Sequence, residues 1–285
     1  MKLSVWAILV ACACLLAGCR AGTNTTTAIP EQTPFGALQV WCFQAGKADA
    51  FLFWNEAGAV LLDTGESGFG KTILEKLAEL GIRRLDYLIV THFDKDHVGG
   101  AKKILSEIQV GTVLQSNSPK SGAEAYEKYL STLASKGIEP VTVREKMEFR
   151  LGEATFTVDP PAAERYAEDA SNNSSLILTV AQGDTRILFC GDAEDLRLAE
   201  FLQDEPGRFD LVKLPHHGQY QATLEALLAQ TLPAYAVITS SEEEREDEQT
   251  MALLAKYGVK ALLTREHPIW ITCTSDGLSA EMISE

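Results

Sequence analysis

The sequence predicts an α/β domain in which two mixed β-sheets pack face to face and helices cover their outer faces. Each half of the chain begins with hairpin-like strands and continues in alternating strands and helices, which is typical of layered α/β folds. No low-complexity linker interrupts residues 36–285, so both halves are assigned to one domain. A composition of 46% hydrophobic and 23% charged residues is that of a globular protein with a buried core.

In the first half, strands are predicted where aromatic and β-branched residues cluster, and helices where apolar residues recur every three or four positions. The segment 71–80 shows the helical spacing, with Ile73, Leu74 and Leu77 on one face and Gly81 as its stop. The predicted strands are 38–44, 49–54, 59–63, 86–90 and 112–115, and the predicted helices are 71–80, 98–108 and 123–136.

The second half has the same character, and its strand 211–214 runs directly into Pro215-His216-His217-Gly218. The predicted strands are 141–143, 154–158, 175–181, 186–190, 211–214, 234–239, 260–263 and 269–273, and the predicted helices are 193–202, 222–230 and 246–257.

The N-terminus resembles a bacterial lipoprotein signal. The apolar run 3–16 is shorter than the roughly 20 residues that span a membrane, and it suits the core of a signal peptide. It ends in Leu16-Ala17-Gly18-Cys19, which resembles a lipobox, whose cysteine is lipidated and becomes the first residue of the mature chain. We therefore expect a lipoprotein signal peptide over 1–19 and a flexible tether over 20–35. The protein would be secreted and anchored to the outer face of the bacterial cell membrane by lipid on Cys19; an ordinary signal peptide with an incidental cysteine is the alternative.

Three cysteines remain after the signal, and each lies in an apolar, strand-like context. They are Cys42, Cys190 and Cys273. Because no CxxC spacing occurs, buried thiols are predicted rather than a thiolate zinc site.

The charge balance restricts the class of partner. The chain has 40 acidic and 25 basic residues, a formal net charge of −15. Such a surface repels polyanions at long range, which argues against non-specific binding of nucleic acid. Bound divalent cations could still attract a phosphate-bearing substrate locally.

Four of the five histidines lie in two tight groups at the ends of predicted strands. One group is His92-Phe93-Asp94-Lys95-Asp96-His97, and the other is the pair at 216 and 217. Imidazoles and carboxylates together suit divalent ions, and two carboxylates share a confined loop only when cations compensate them. A helix cap would explain one aspartate, but not two flanked by histidines. A metal site is therefore predicted, whereas His267, before Pro268, is expected at a turn or on the surface.

The stretch Thr91-His92-Phe93-Asp94-Lys95-Asp96-His97-Val98-Gly99-Gly100 resembles the signature loop of the metallo-β-lactamase superfamily. Aspartate in place of a second histidine is similar to the branch that contains the hydrolase domain of DNA-uptake proteins, the competence ComEC/Rec2 type. Further segments match that branch in order: Gln44 to Ala50, Leu61 to Gly65, Asn172 to Leu176, Phe189 to Asp192, Lys213 to Gly218 and Thr274 to Gly277. The resemblance implies an αββα four-layer sandwich with a binuclear metal site at one edge.

Carried over by position, the resemblance implies that metal ligands come from both histidine groups. His92, Asp94, Asp96 and His97 would be divided between two ions, and Asp192 would bridge them, although Gly191-Asp192 could also be a turn before a helix. At least one of His216 and His217 would complete a site, and the sequence leaves open which. The Asp at 94, with no histidine between 97 and 216, makes the site oxygen-rich and favours manganese or magnesium over zinc.

Other residues are candidates for contacting substrate oxygens. These are Lys47, Asn173 and Ser174, of which the last two could equally form a turn before the strand at 175. The acidic run Ser240 to Glu248 stands where the branch tends to have a Gly-His-Pro loop. Near the site mouth this run would disfavour long polyanions, although a solvated helix start is the commoner meaning of such a run.

The predicted function is metal-dependent hydrolysis at the cell surface, of a phosphodiesterase or nuclease type. Two divalent ions would lower the pKa of a bridging water and stabilise charge that develops on the substrate. Asp96 and Asp192 are the candidate catalytic residues, and a phosphoester or nucleic-acid fragment is the expected substrate. The alternatives are an acyl hydrolase of the lactamase, lactonase or thioesterase type, and a surface-binding lipoprotein with a vestigial site. No protein partner is evident.

Overall fold

The computed structural model of this chain describes residues 36–163, 165–204 and 206–284. The expected signal peptide, the lipidation site at Cys19 and the tether 20–35 lie outside the described residues. Within the described ranges, no helix is both long enough and apolar enough to cross a membrane.

The described elements alternate along the chain much as the sequence predicts. The strands are β1 Leu38–Cys42, β2 Phe51–Asn55, β3 Gly58–Leu62, β4 Arg84–Val90, β5 Gln109–Gln115, β6 Val141–Thr142, β7 Met147–Leu151, β8 Ala154–Asp159, β9 Ile177–Gln182, β10 Thr185–Phe189, β11 Leu211–Lys213, β12 Tyr235–Ile238, β13 Lys260–Leu263, β14 Ile269–Thr274 and β15 Gly277–Met282. The α-helices are α1 Gly70–Glu79, α2 Lys95–Val98, α3 Ala101–Glu107, α4 Glu124–Lys136, α5 Asp195–Gln203, α6 Leu224–Thr231 and α7 Glu248–Tyr257. Short 3₁₀ turns cover Asn172–Ser174 and Pro215–Gly218.

The strands form two sheets. The first has the order β15-β14-β1-β2-β3-β4-β5-β6, and the second has the order β13-β12-β11-β10-β9-β8-β7. Strands β3 to β6 are parallel in the first sheet, and β10 to β13 are parallel in the second. Because parallel strands bring their carboxyl ends to one edge of a sheet, the segments that follow them gather at that edge.

The two sheets face each other across a core of aromatic and branched side chains. Phe51 and Phe53 of the first sheet both meet Phe189 of the second edge to face, with ring centroids 5.0 and 5.1 Å apart. Phe53 also meets Phe156, at 5.4 Å. This arrangement is favourable for aromatic rings, so the inter-sheet core fixes how the sheets lie on each other.

The outer face of each sheet is covered by helices. Helices α1, α3 and α4 bury their apolar sides on the first sheet, and α5, α6 and α7 do so on the second. In α1 the buried apolar residues are Ile73 and Leu77, as the spacing predicts. The resulting order of layers, helix, sheet, sheet, helix, confirms the predicted αββα four-layer sandwich.

The continuous helix predicted over 98–108 is wrong, because α2 ends at Val98 and α3 begins at Ala101. Between them the backbone bonds to a neighbouring loop: Gly100 N donates to Gly65 O, and His97 O accepts from Thr64 N. The approach is too close for a side chain, since a Cβ on Gly99 would lie 2.5 Å from the backbone nitrogen of Ser67 in that loop. The paired glycines after His97 therefore let the histidine loop pack against the end of β3.

Strands β7 and β15 are absent from the sequence prediction. Each lies at the edge of its sheet, and each has exposed residues, which are two of five in β7 (Glu148 and Arg150) and three of six in β15. Edge strands of this kind carry charged residues on one side, which weakens the apolar signal by which strands are recognised.

The three cysteines of the described residues are free and buried, as predicted. Burial raises the pKa of Cys190 and of Cys273 to about 12, so both thiols remain protonated at neutral pH. Cysteines of this kind behave as small apolar side chains.

Candidate metal centre

The residues of the site follow the carboxyl ends of parallel strands from both sheets. In the first sheet, Asp63 follows β3 and His92 follows β4; in the second, Asp192 follows β10 and His217 follows β11. Since the sheets face each other, these strand ends meet at one edge of the sandwich.

Four side chains come together there as one group: Asp96, His97, Asp192 and His217, whose ligand-capable atoms all lie within 4.8 Å of one another. Asp192 Oδ2 is 3.2 Å from His97 Nε2 and 3.1 Å from His217 Nε2. His217 Nε2 is 3.5 Å from Asp96 Oδ2. Two imidazoles and two carboxylates at these separations are a donor set that suits a divalent ion.

Each histidine of the centre has one ring nitrogen held by the protein and the other left free. His97 Nδ1 lies 2.8 Å from Asp63 Oδ2, so it donates to that carboxylate. The free atom of His97 is then Nε2, which points into the group. A carboxylate behind a histidine fixes the tautomer and orientation that a metal ligand requires.

His217 is oriented by a hydroxyl instead of a carboxylate. Its Nδ1 is 2.9 Å from Thr239 Oγ1, and that hydroxyl donates its own proton to Asp49 at 2.7 Å. Thr239 must therefore accept from His217 Nδ1–H, which again leaves Nε2 free.

His92 is also oriented by a hydroxyl group. Thr91 Oγ1 donates to Asp63 at 2.7 Å and is 3.1 Å from His92 Nδ1, so it accepts the proton of that nitrogen. All three imidazoles thus present Nε2 towards the centre.

These buried atoms have no hydrogen bond of acceptable geometry, although Asp192 Oδ2 lies within 3.2 Å of two of them. They are His92 Nε2, His97 Nε2, His217 Nε2 and Asp192 Oδ1. A buried polar atom without a partner costs free energy, and four of them facing one place indicate a group that the protein is built to bind. A divalent cation fits, because it is coordinated by unprotonated Nε2 atoms and carboxylate oxygens together.

The side of the centre formed by His92 and Asp94 is less complete. Asp94 Oδ1 lies 3.8 Å from His92 Nε2, and neither residue belongs to the group of four. Asp94 also accepts hydrogen bonds from Lys120 Nζ and Ser171 Oγ. The residues thus offer one four-ligand position and a second position that would share Asp192.

Without a bound cation, the imidazoles and carboxylates of the centre compensate each other. Burial alone would lower the pKa of His97, but Asp192 and Asp63 raise it well above its usual value. The pKa of His217 is raised against burial in the same way, chiefly by Asp192. Burial and the charge on His97 lower the pKa of His92 to about 3, so this imidazole is neutral. A divalent ion would replace the protons on His97 and His217.

A buried ion pair lies directly beside the group. Lys213 Nζ donates to Asp49 Oδ2 and to the carbonyl oxygen of Gly191, and it lies 3.8 Å from Asp192 Oδ1. Both side chains are at most 1% exposed. Burial would lower the pKa of Lys213, but Asp49 and Asp192 raise it, so the ammonium keeps its charge.

The structure separates the paired histidines. His217 joins the group, whereas His216 points away, is 26% exposed and places Nδ1 3.0 Å from Glu194 Oε1. Both residues have left-handed backbone, with φ of 43° and 53°. That backbone conformation is costly for residues other than glycine. Here it directs two consecutive side chains to different sides of the loop.

The three substrate-contact candidates lie in different surroundings. Asn173 and Ser174 are each 2% exposed, Asn173 Oδ1 accepts from Arg197 N in the first turn of α5, and Ser174 Oγ donates to Ser171 O. Their polar groups are therefore used within the protein, which favours the turn interpretation. Lys47 instead lines an open cavity.

That cavity, of about 610 Å³, reaches the centre at Asp94 and Asp96. Lysines and glutamates share its lining: Lys47, Lys95, Lys120, Glu66, Glu124 and Glu244. Glu244 belongs to the acidic run 240–248, which is thus beside the site. Arg265 fixes this run through ion pairs with Glu242 and Glu246.

Several residues of the site had no role in the sequence prediction. Asp63, Asp49 and Lys213 occur in motifs that were recognised, but the sequence does not show what they contact. A lysine within the apolar strand 211–214 is a signal that could have pointed to a buried ion pair. Lys120 lies in a loop without a motif, and nothing in the sequence distinguishes it.

A four-layer αββα sandwich with a histidine–aspartate group at the strand ends is the architecture of a metallo-hydrolase. The chain belongs to the metallo-beta-lactamase superfamily, whose family model matches residues 44–240.

Among individual proteins, the chain is similar to competence proteins. It is 27% identical over 233 residues to ComE operon protein 3 of Bacillus subtilis, which covers 75% of this chain and 30% of that protein. It is 30% identical over 207 residues to Recombination protein 2 of Haemophilus influenzae, covering 71% and 24%. The chain therefore spans less than a third of the length of these relatives.

Solved structures share the fold. The metallo-beta-lactamase fold protein YhfI from Bacillus subtilis aligns with a TM-score of 0.55 at 10% identity, covering 86% of this chain and 100% of that one. Igni18, a metallo hydrolase from the archaeon Ignicoccus hospitalis, aligns with a TM-score of 0.51 at 14% identity, covering 87% and 100%.

Proposed function

We propose that the chain hydrolyses phosphodiesters in a metal-dependent reaction at the edge where the two sheets meet. The observation that carries the proposal is the set of buried, unpartnered Nε2 and carboxylate atoms that face one another there. Asp96, His97, Asp192 and His217 would hold one divalent ion, and His92 and Asp94 a second one that shares Asp192.

Bound ions would supply Lewis-acid chemistry, which activates water near neutral pH and stabilises negative charge on a substrate oxygen. The residues of the chain hold the ligands in place: Asp63 and Thr239 fix the rings of His97 and His217. Asp96, which is partly exposed and lines the cavity, would also orient the attacking water.

A phosphodiester is favoured by the donor set and by the cavity. Oxygen-rich sites prefer hard ions such as manganese or magnesium, which are commonly used with phosphate substrates. The ammonium groups of Lys47 and Lys120 line the cavity beside Asp94 and Asp96 and are suited to anionic oxygens. The similarity to competence proteins supports a nucleic-acid fragment as one form of the substrate.

The glutamates at the same cavity favour a short substrate. Glu66, Glu124 and Glu244 would repel each further phosphate of a long chain, and the net charge of −15 acts in the same direction. We therefore propose a small phosphodiester or a short oligonucleotide rather than long duplex DNA.

The test is turnover of bis-p-nitrophenyl phosphate by protein loaded with manganese. Asp192→Asn keeps the shape of the side chain but removes its charge, and we expect it to lower the rate by at least about 100-fold. Asp184→Asn removes a carboxylate from an exposed turn and serves as the matched control, with an unchanged rate.

Two other outcomes would overturn the proposal. A loaded protein that opens lactams, lactones or thioesters but cleaves no phosphodiester would be an acyl hydrolase. A protein that retains no divalent ion in dialysis would have no metal centre, as expected of a surface-binding lipoprotein with a vestigial site.

We also propose that the protein acts at the outer face of the cell membrane, held by lipid on Cys19. The support is the lipobox-like sequence before that cysteine. Cys19→Ala should move the protein from the membrane fraction to the soluble fraction, and retention in the membrane fraction would contradict the anchor.

A further inference from the structure

The two halves of the centre differ in how their ligands are held. On one half, Asp96, His97, Asp192 and His217 already lie within reach of one ion. On the other half, Asp94 is occupied by a cationic side chain, since Lys120 Nζ lies 2.5 Å from its Oδ1. Any ion that uses Asp94 must therefore compete with an ammonium group.

Lys120 is free to leave that position. It lies in the loop between β5 and α4, its side chain is 39% exposed, and it lines the cavity. Asp94 is its only ion-pair partner among the described residues. A long lysine side chain with one exposed contact exchanges that contact readily.

The other lysine near the ligands cannot act in this way. Lys213 is fully buried and held by Asp49 and the carbonyl oxygen of Gly191. Its neighbour in the centre is Asp192, which both halves would share. The charge of Lys213 therefore affects ion binding in both halves of the centre and cannot make their affinities unequal.

We propose that Lys120 is a displaceable counter-ion of Asp94 that makes the two halves of the centre bind divalent ions with unequal affinity. The inference rests on the proposed metal centre. An ion on the His92 and Asp94 side binds with a less favourable free energy, because it must displace the ammonium of Lys120 and then remain near its positive charge. One ion is thus retained and the other exchanges with the solution.

The experiment is a manganese titration of the full-length protein, monitored by calorimetry and by the electron paramagnetic resonance signal of free manganese. Wild-type protein should show one tight and one weak site. Lys120→Met removes the charge and keeps much of the length, and it should tighten the weak site roughly tenfold while leaving the tight site within about twofold. Lys120→Arg keeps the charge and should behave as wild type.

Lys95→Met is the matched control. Lys95 lines the same cavity, but its side chain is 77% exposed and pairs with Glu66 rather than with a ligand of the centre. Lys95→Met removes the same charge from the same cavity without freeing a ligand of the centre. We therefore expect both manganese affinities to stay within about twofold of wild type.

The proposal is overturned if Lys120→Met leaves the weak site unchanged, if it shifts both sites equally, or if wild-type protein binds two ions with equal affinity. Failure of every variant to bind manganese would instead overturn the metal centre itself. Thermal melting checks that each variant is folded, and Lys120→Gln repeats the measurement with a polar side chain in case methionine disturbs the loop.

Discussion

Replacing Lys213 with methionine should destabilise the protein strongly, because it leaves the carboxylate of Asp49 buried without its ion-pair partner. Lys213 is fully buried, and methionine fills a similar volume, so the cavity contribution is small. Asp49 would keep the hydrogen bond from Thr239 and the imidazole of His217, whose Nδ1 is 3.5 Å from its Oδ1, but it would lose the ammonium that donates to Oδ2. Removing one partner of a buried pair typically costs about 3–5 kcal/mol.

The cost has an upper limit that depends on pH. A buried carboxylate without a partner can take up a proton, and at pH 7 this costs about 1.4 kcal/mol for each unit between the pH and an ordinary aspartate pKa of about 3.9. The limit is therefore about 4 kcal/mol at pH 7 and about 1.5 kcal/mol at pH 5. The destabilisation caused by Lys213→Met should shrink accordingly as the pH falls.

The measurement is the free energy of unfolding in guanidinium chloride, with EDTA present, at pH 7 and at pH 5. Lys102→Met is the control, because Lys102 is exposed and should change stability by less than about 0.5 kcal/mol. The double variant Lys213→Met, Asp49→Asn should be more stable than Lys213→Met alone, since no unpaired charge remains. A cost below about 1 kcal/mol at pH 7, or an equal cost at both pH values, would refute the reasoning.

Three further predictions concern the centre and its loop. His217→Gln should weaken manganese binding by more than about tenfold, whereas His216→Gln should change it by less than about threefold because His216 contacts Glu194 instead; equal effects in equilibrium dialysis would contradict this placement. The pKa values of His97 and His217 are raised, so the stability they contribute is complete below about pH 6.5 and is lost as the pH rises through their folded-state values. Melting temperatures of EDTA-treated protein should thus fall as the pH rises above about 6.5 and recover with manganese, and a flat profile would argue against charged imidazoles. Gly99→Ala should cost about 2–3 kcal/mol in urea unfolding because its Cβ would clash with rigid backbone, and a neutral result would mean that this junction can shift.

Most of the fold could be predicted from the sequence, because the strands and helices that form its layers have recognisable local patterns. Helix α1 has a clear apolar face, and the apolar end of β4, Leu88 to Val90, comes two residues before His92, so both can be recognised without a structure. The edge strands β7 and β15 could not be recognised in this way, since their exposed sides are polar. The break at Gly99 depends on a loop that is distant in the sequence, and no local pattern reveals it.

For the site, the sequence predicted which types of residue act as ligands but not how they are arranged. His92, Asp96 and His97 stand in one short segment, and their chemistry can be read there directly. The choice between His216 and His217 depends on two left-handed residues in succession, which the sequence does not disclose. The contact of Lys120 with Asp94 joins two loops whose proximity follows from the packing of the whole domain.

The packing of the two sheets is also what gives the centre its geometry. Asp96 and His97 follow strand β4 of the first sheet, while Asp192 and His217 follow strands β10 and β11 of the second, so no single sheet positions the group of four. The supporting contacts cross in the same way, since Asp49, just before β2, accepts from Lys213 of β11 and from Thr239, just after β12. A small shift between the sheets would therefore separate the ligands and the residues that orient them together. An ion held by ligands from both sheets would consequently couple metal affinity to the stability of the inter-sheet core, because it would hold the sheets in the arrangement that the aromatic core already favours.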